Sequence, residues 1–434
     1  MKGPPLRVAS VQFAFDGNPA AIPLRDPVTL DFLGATPEWT LAGSRQPAAF
    51  VAGSRPHVRV VFRRTPALQA DAGPWQIGAR GHLGPGLVPR TVRLRFNAQG
   101  DSQPVEFRFT DAIPHGIVAA RRHWRWYAVC NGQRHALGIT RHLVYHARRR
   151  PISPASWAVT SERRQGPFGN PDAPWVYLPL MQWTCRWAAG RRGDKAICDA
   201  IIANVKYSGL RYAEAAWNVG QMLQVGGGYC GGWFRMFQAM AGAQGVRVQR
   251  RAFLVDWRME HRDIMRWCAI VVSAPGLRRK RPAEAASVFH DSNVGRAKRD
   301  PIQRFHVRRY RFWGLPGAKA DGHCINFLQH NGRWYLYDAC FFAKPVALSN
   351  FTLPRTSAER TIAVERQGTF QRAYLNRAVS HMLGSLRHGR RLFKTDHPDP
   401  AEPQFTSDIT RNGLTVKTAI IPPRWRNITF YWMA

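Results

Sequence analysis

The chain has 434 residues, 45% hydrophobic and 21% charged, which is apolar enough for more than one packed core and excludes a disordered polymer. Its 63 Lys and Arg against 27 Asp and Glu give a formal charge of +36, which predicts attraction to an anionic polymer or an acidic partner protein, unless the excess is only an arginine-rich composition. Seven cysteines, an odd number without a CxxC pair, argue against a disulfide framework and a zinc ribbon, so most of the thiols are expected to be buried and reduced.

The first residues, MKGPPLRVASVQFAF, lack the continuous apolar run of a cleavable signal. No stretch reaches the ~20 apolar residues of a transmembrane helix. The expectation is cytoplasmic synthesis without a membrane span. Signal-independent export would leave no trace in such a sequence.

Up to about residue 150 the chain reads as strands. LRVASVQFAF, VTLDFL, HVRVVFRR, TVRLRFN, VEFRFTDA and HWRWYAVC are short and rich in β-branched and aromatic residues, with Gly, Pro, Asn and Asp between them. This predicts an antiparallel β-sandwich of immunoglobulin type over residues 1–150. The proline- and arginine-rich stretch beginning HARRRPISPASW predicts a linker, 151–178.

The periodicity then becomes helical. WVYLPLMQWTCRWAAG, DKAICDAIIANVKYSG and AEAAWNVGQMLQVGGG each end in glycine. Cys230 follows, set among glycines, and then a helix over Trp233–Ala243 closed by Gly245. VRVQRRAFLV and RWCAIVVSA read as strands. In HCINFLQHNGRWYLYDACFF two strand-like runs flank Asn331-Gly332, a strong hairpin signal. Helices followed by an antiparallel sheet make the whole chain α+β. Residues 351–434 read as a mixed extension packed on the preceding domain.

Cys230 is the chemically distinctive residue. A helix start leaves N–H groups unpaired and favours a thiolate, the nucleophilic form. Such a thiolate needs a base and an orienting group. His323 and Asp338 stand on the two arms of the hairpin, where cross-strand neighbours meet. The N–H of Cys230 can serve an oxyanion, with Gln224 or Gln221 as a second donor. Gly228, Tyr229, Gly231 and Trp233 would form the substrate approach.

Gly-x-Cys opening a helix, the following AxxxGVRV-type turn into a strand, and the later His…NGRWYxxD hairpin resemble the transglutaminase-like cysteine enzymes. YCGGWFRMF is similar to the peptide N-glycanase branch, and the upstream helix with Tyr207 also fits. The resemblance covers about 197–342. It implies a papain-type catalytic domain over 179–350, with Cys230 as nucleophile, His323 as base and Asp338 as orienting carboxylate. Two departures from the family pattern stand out. Cys324-Ile325-Asn326 occurs where the family often has a Trp after the histidine, and an insert at 274–321 stretches the Cys–His interval.

Within that insert, Arg278–Arg311 has eleven Lys and Arg against three acidic residues, with Phe305 and Tyr310 among them. It reads as an active-site lid selecting an anionic substrate, in preference to a nucleic-acid grip. No cofactor and no metal are expected. The resulting expectation is acyl transfer on a protein or peptide amide through a thioester, resolved by water. The alternatives are an amine acceptor, as in a transglutaminase or transpeptidase, and a non-catalytic basic protein that binds an anionic partner or nucleic acid and carries a vestigial triad.

Overall fold

The computed structural model describes residues 5–66, 74–82, 84–152, 166–170, 173–212, 216, 218–228, 230–256, 269–273, 310–313, 320–339, 344–353, 373, 379–386, 404–411, 414–420 and 429–433. The strands are β1 Leu6–Gln12, β2 Leu24–Arg25, β3 Trp39–Thr40, β4 Ala48–Val51, β5 His57–Arg64, β6 Trp75–His82, β7 Leu87–Val92, β8 Val105–Arg108, β9 Val118–Cys130, β10 Gln133–Ala147, β11 Val176–Tyr177, β12 Arg211–Tyr212, β13 Gly227–Gly228, β14 Gln249–Asp256, β15 Ala269–Ser273, β16 Tyr310–Trp313, β17 Ala320–His330, β18 Arg333–Tyr337, β19 Val346–Leu348, β20 Val379–Leu386, β21 Gln404–Arg411, β22 Leu414–Ile420 and β23 Thr429–Met433. The helices are α1 Leu178–Trp187, α2 Asp194–Asn204, α3 Val219–Val225 and α4 Cys230–Ala243. The chain is therefore mixed α+β, dominated by strands in mainly antiparallel sheets. Among the described residues no helix is long and apolar enough to cross a membrane.

Two compact units divide the chain: Met1–Ile197 with Ala239–Val246, and Cys198–Gln238 with Arg247–Ala434. The division at Ile197 falls beyond residue 179, where the second domain is expected to begin. α1 joins the first unit because its apolar face, Leu180, Met181 and Cys185, is buried there. Buried Gln244 donates to Thr184 Oγ1 at 2.9 Å and accepts the Arg148 N–H at 3.1 Å, tying the segment after α4 into the same unit.

Sheets β3-β1-β5-β8 and β4-β10-β9-β6-β7 of the first unit share one core. Alternation produces it: Val58, Val60 and Phe62 of β5 point in, while Arg59 and Arg63 point out. Trp126 packs edge-on against Phe62 and Phe107, and Trp124 against Phe109.

VTLDFL does not form the expected strand. Asp26 Oδ1 accepts the N–H groups of Val28 and Thr29 at 2.7 and 3.0 Å, and Leu30 turns to φ 64. A side-chain turn thus overrides β-propensity. TVRLRFN joins a named strand only in its first residues, within β7, and Phe96 forms an isolated antiparallel bridge with Ser102. Beyond them the Gln103 amide accepts the Arg95 N–H at 2.7 Å and donates to Arg93 O at 3.1 Å, standing where a partner strand would. Strands β4, β6 and β10 lie outside the six expected runs.

In the second unit the sheets are β19-β18-β17-β14-β23 and β16-β15-β20-β22-β21. β16 falls inside the expected insert and pairs with β15, so that segment is not wholly irregular. The C-terminal residues are not an appended layer. β23 is a strand of the β17 sheet, paired with β14, and β20, β21 and β22 complete the other sheet. Ala320 and Asp321 begin β17, and the rest of the insert, including Phe305, lies outside the described residues.

Candidate functional site

The approach to Cys230 is built by α3 and a two-residue strand. Asn218 caps α3, accepting the Gln221 N–H at 2.8 Å. Gly226, at φ 79, ends the helix in the left-handed conformation and returns its N–H to Met222 O. β13 then pairs in parallel with β12, Tyr212 opposite Gly228. Helix α4 begins at Cys230 itself, three residues ahead of the expected Trp233.

Two glycines let this start pack. A Cβ on Gly228 or on Gly232 would stand 2.5 Å from Ala216 O and 2.7 Å from the Met222 side chain. Only a hydrogen fits at either position.

Three contacts fix where α4 lies on its sheet. Asn326 Nδ2 of β17 donates to Phe234 O at 3.1 Å. Tyr337 of β18, paired with Asn326, stacks on Phe237 with centroids 5.1 Å apart. Gln238 Nε2 donates to Val248 O at 3.3 Å, and the next residue, Gln249, pairs with Phe327. Along α4, Phe234 is therefore level with Asn326, and Gln238 with the position after Phe327. One helical turn and two strand residues both advance about 6 Å. A turn back from Phe234, Cys230 is level with Cys324, next to His323.

Asp338 follows β18 directly and is 1% exposed. The register corrects its relation to His323. Asn326 opposes Tyr337, so Asp338 continues opposite Ile325, two residues along β17 from His323. The two are diagonal neighbours, not directly opposed. This offset was countable beforehand, because the two-residue Asn331-Gly332 turn (φ 49 and 72) sets His330 opposite Arg333. His323 lies at the alternate strand parity to Asn326. The side chains of Cys230 and His323, and the whole of Tyr229, lie outside the described residues.

The remaining expected residues differ in standing. Gln221 is half-buried and Gln224 exposed, one turn apart on α3. Gly228, Gly231 and Trp233 are buried, so none of these three offers an open approach: the glycine-rich start is close-packed, and Trp233 is 3% exposed with its indole N–H unpartnered among the described residues. Tyr207 is 67% exposed beside Lys206.

Sequence reasoning missed the supports of this sheet. Tyr337 donates to Asp199 Oδ1 of α2 at 2.7 Å, and burial pushes its phenol well above the ordinary range. Cys130, Cys185 and Cys198 are buried, and Cys324 is half-buried. Burial pushes the Cys185 thiol up to about 12, against a smaller opposing effect from the Gln244 hydrogen bond. Among the described residues no cluster of His, Cys, Asp and Glu is arranged to hold a metal. No protein-family model matches the chain, and no curated protein matches it.

Proposed function

We propose that the second unit is a transglutaminase-like cysteine acyl-transfer enzyme, and that the sandwich before it is of immunoglobulin type. The observation that carries this reading is the seating of α4: the helix that starts with Cys230 lies along β17 with its first turn level with the His323 region, and Asp338 is buried on the adjoining strand. Nucleophile, base and orienting carboxylate then come from three neighbouring elements; in regular alternation His323 and Asp338 share the sheet face opposite Asn326 and Tyr337, so this reading requires β17 to turn His323 toward the start of α4.

In this mechanism the Cys230 thiolate attacks an amide carbonyl carbon. The oxyanion is held by the N–H groups at the start of α4. His323 gives its proton to the leaving nitrogen, the C–N bond breaks and a thioester remains. Water, deprotonated by His323, attacks the thioester; the acid leaves and the thiol is restored. Asp338 orients the imidazole and stabilises its cation. An amine in place of water would make the same site a transamidase.

The test is alkylation of the full chain by iodoacetamide across pH, read at the Cys230 peptide by mass spectrometry. A paired thiolate reacts well below the ~8.5 of a free thiol. His323→Ala should raise the pH of half-maximal labelling, and Asp338→Asn should raise it less. Asp338→Asn should also slow acyl transfer by about 10–10³-fold. Labelling of Cys230 that titrates like a free thiol in all three proteins overturns the assignment.

A further inference from the structure

The five-stranded sheet of the sandwich, β4-β10-β9-β6-β7, has no Asp or Glu in any strand. Trp124, Trp126 and Ala128 of β9 fill the core, so Arg121, His123, Arg125 and Tyr127 line the opposite face. The register sets Arg141 of β10 and His82 of β6 on either side of His123, and Arg80 of β6 beside Arg125. Arg80, Arg121, Arg125, Arg134 and Arg141 are exposed, and among the described residues none forms an ion pair. In the other sheet Arg59 pairs with Glu106 and Arg63 with Asp101, each at 2.7 Å, while Arg7 and Arg64 are exposed and form no ion pair among the described residues. What sets this face apart is that its sheet holds no carboxylate in any strand while five exposed arginines share it.

That face also carries planar rings. His82 and His123 stack with centroids 4.3 Å apart and planes 24° from parallel. The Arg134 guanidinium lies over the Tyr127 ring at 4.1 Å. Desolvation, and then the charges of His82, Arg125 and Arg141, hold His123 below the ordinary imidazole range. At neutral pH it therefore presents a ring face and no added charge.

We propose that this face binds a single-stranded nucleic acid, with phosphates on the arginines and bases on the His82–His123 pair and Tyr127. Outward residues along β9 recur every ~6.6 Å, so Arg121 to Tyr127 spans about 20 Å. That accommodates on the order of four nucleotides, the lower end for a single-strand module. An open sheet combining cations and rings suits splayed bases. A sulfated polysaccharide would use the arginines and leave the rings idle.

The test is fluorescence anisotropy of the full chain with a labelled twelve-residue oligothymidylate, with labelled heparin as the polyanion without aromatic bases. Five arginines on phosphates give a slope of log K against log salt of about −3.5. The variant R80Q/R125Q/R141Q should flatten that slope by about 2 and weaken binding at least tenfold. R7Q/R55Q/R64Q, an equal loss of charge on exposed arginines outside this sheet, should leave the slope nearly unchanged. H82A/H123A should weaken the oligonucleotide five- to tenfold and spare heparin. Thermal unfolding checks that each variant folds, and the single variants R125Q and R141Q replace the triple if it does not.

Equal losses in the two arginine triples overturn the proposal, as does oligonucleotide binding that survives R80Q/R125Q/R141Q. Oligonucleotide binding indifferent to H82A/H123A assigns the face to a polyanion without bases, and that also overturns it.

Discussion

At the scale of single residues, Tyr337 does most to hold the candidate site together. Its ring stacks on Phe237 of α4 and its hydroxyl donates to Asp199 of α2, so one side chain of β18 joins two helices to the sheet immediately before Asp338. Tyr337→Phe keeps the stack and removes a bond to a carboxylate, a loss of about 1.5–3 kcal/mol. Urea unfolding of the full chain should show a lower midpoint with an unchanged slope; an unchanged midpoint would mean that water replaces the hydroxyl at no cost. The sequence made the spacing of His323 and Asp338 along the hairpin countable because Asn331-Gly332 fixes the turn between them. It did not reveal Tyr337, since a tyrosine in an apolar strand has no signature until its partners, 100 residues or more upstream, are folded around it. Nor did it reveal that Trp233 is core: helical spacing identifies an apolar face without saying which of its residues meet substrate.

At the scale of elements, the start of α4 depends on a close approach that admits no side chain. Gly232→Ala would place a methyl 2.5 Å from Ala216 O, a backbone atom that cannot swing aside, and 2.7 Å from Met222 Sδ. The first turn of α4 must then lift from α3. Overpacking of this kind costs about 1–3 kcal/mol, and the Cys230 alkylation profile should move toward that of a free thiol. Adding Met222→Ala clears the sulfur but not the carbonyl, so it should restore little. Full recovery in that double variant would show the methionine to be the whole obstacle. The glycines among GGGYCGG had suggested access, and in the fold they serve packing; spacing alone does not separate the two uses. Elements defined by local rules were readable, as with the hairpin turns and the glycine-terminated helices. Those defined by partners were not. β10 runs fifteen residues through QRHALGITRHLVYHA, in which Arg134 and Arg141 line an exposed face while Thr140, His142 and His146 are buried. VTLDFL has strand composition, yet Asp26 settles it as a turn.

At the scale of the whole molecule, the sandwich buries three titratable groups whose effects on stability oppose one another. His142 sits among Phe13, Trp39 and Trp124, with Nε2 2.8 Å from Thr140 Oγ1. Burial, and then the Arg45 charge, push it down to about 3. Burial, and then Arg122, push His146 down to about 4. Glu38 accepts the N–H groups of Phe13 and Ala14 at 2.7 and 2.8 Å, bonds that favour the carboxylate, but burial outweighs them and raises it to about 7. Unfolded imidazoles take up protons as pH falls through 6.5, while the folded ones wait until about 4 and 3. The unfolded state then binds more protons, and stability drops as the pH is lowered across that window. Glu38 acts in the reverse sense. Its contribution is complete below the unfolded value of 4.5 and is lost as pH rises through about 7. From pH 7 to 5 the carboxyl therefore offsets much of what the histidines lose, and below 4.5 it has nothing more to add. Hydrogen exchange at the β9 and β10 amides of the full chain should show a shallow decline in protection between pH 7 and 5 and a steeper one below, after correction for the intrinsic exchange rate. Glu38→Gln lowers protection at every pH, because one N–H loses its acceptor, and it should roughly double the decline between pH 7 and 5. His142→Phe should reduce the acid-side decline by about half. A Glu38→Gln curve parallel to the wild type would mean that the two backbone bonds keep Glu38 ionised in the fold, so that acid sensitivity rests on the histidines alone.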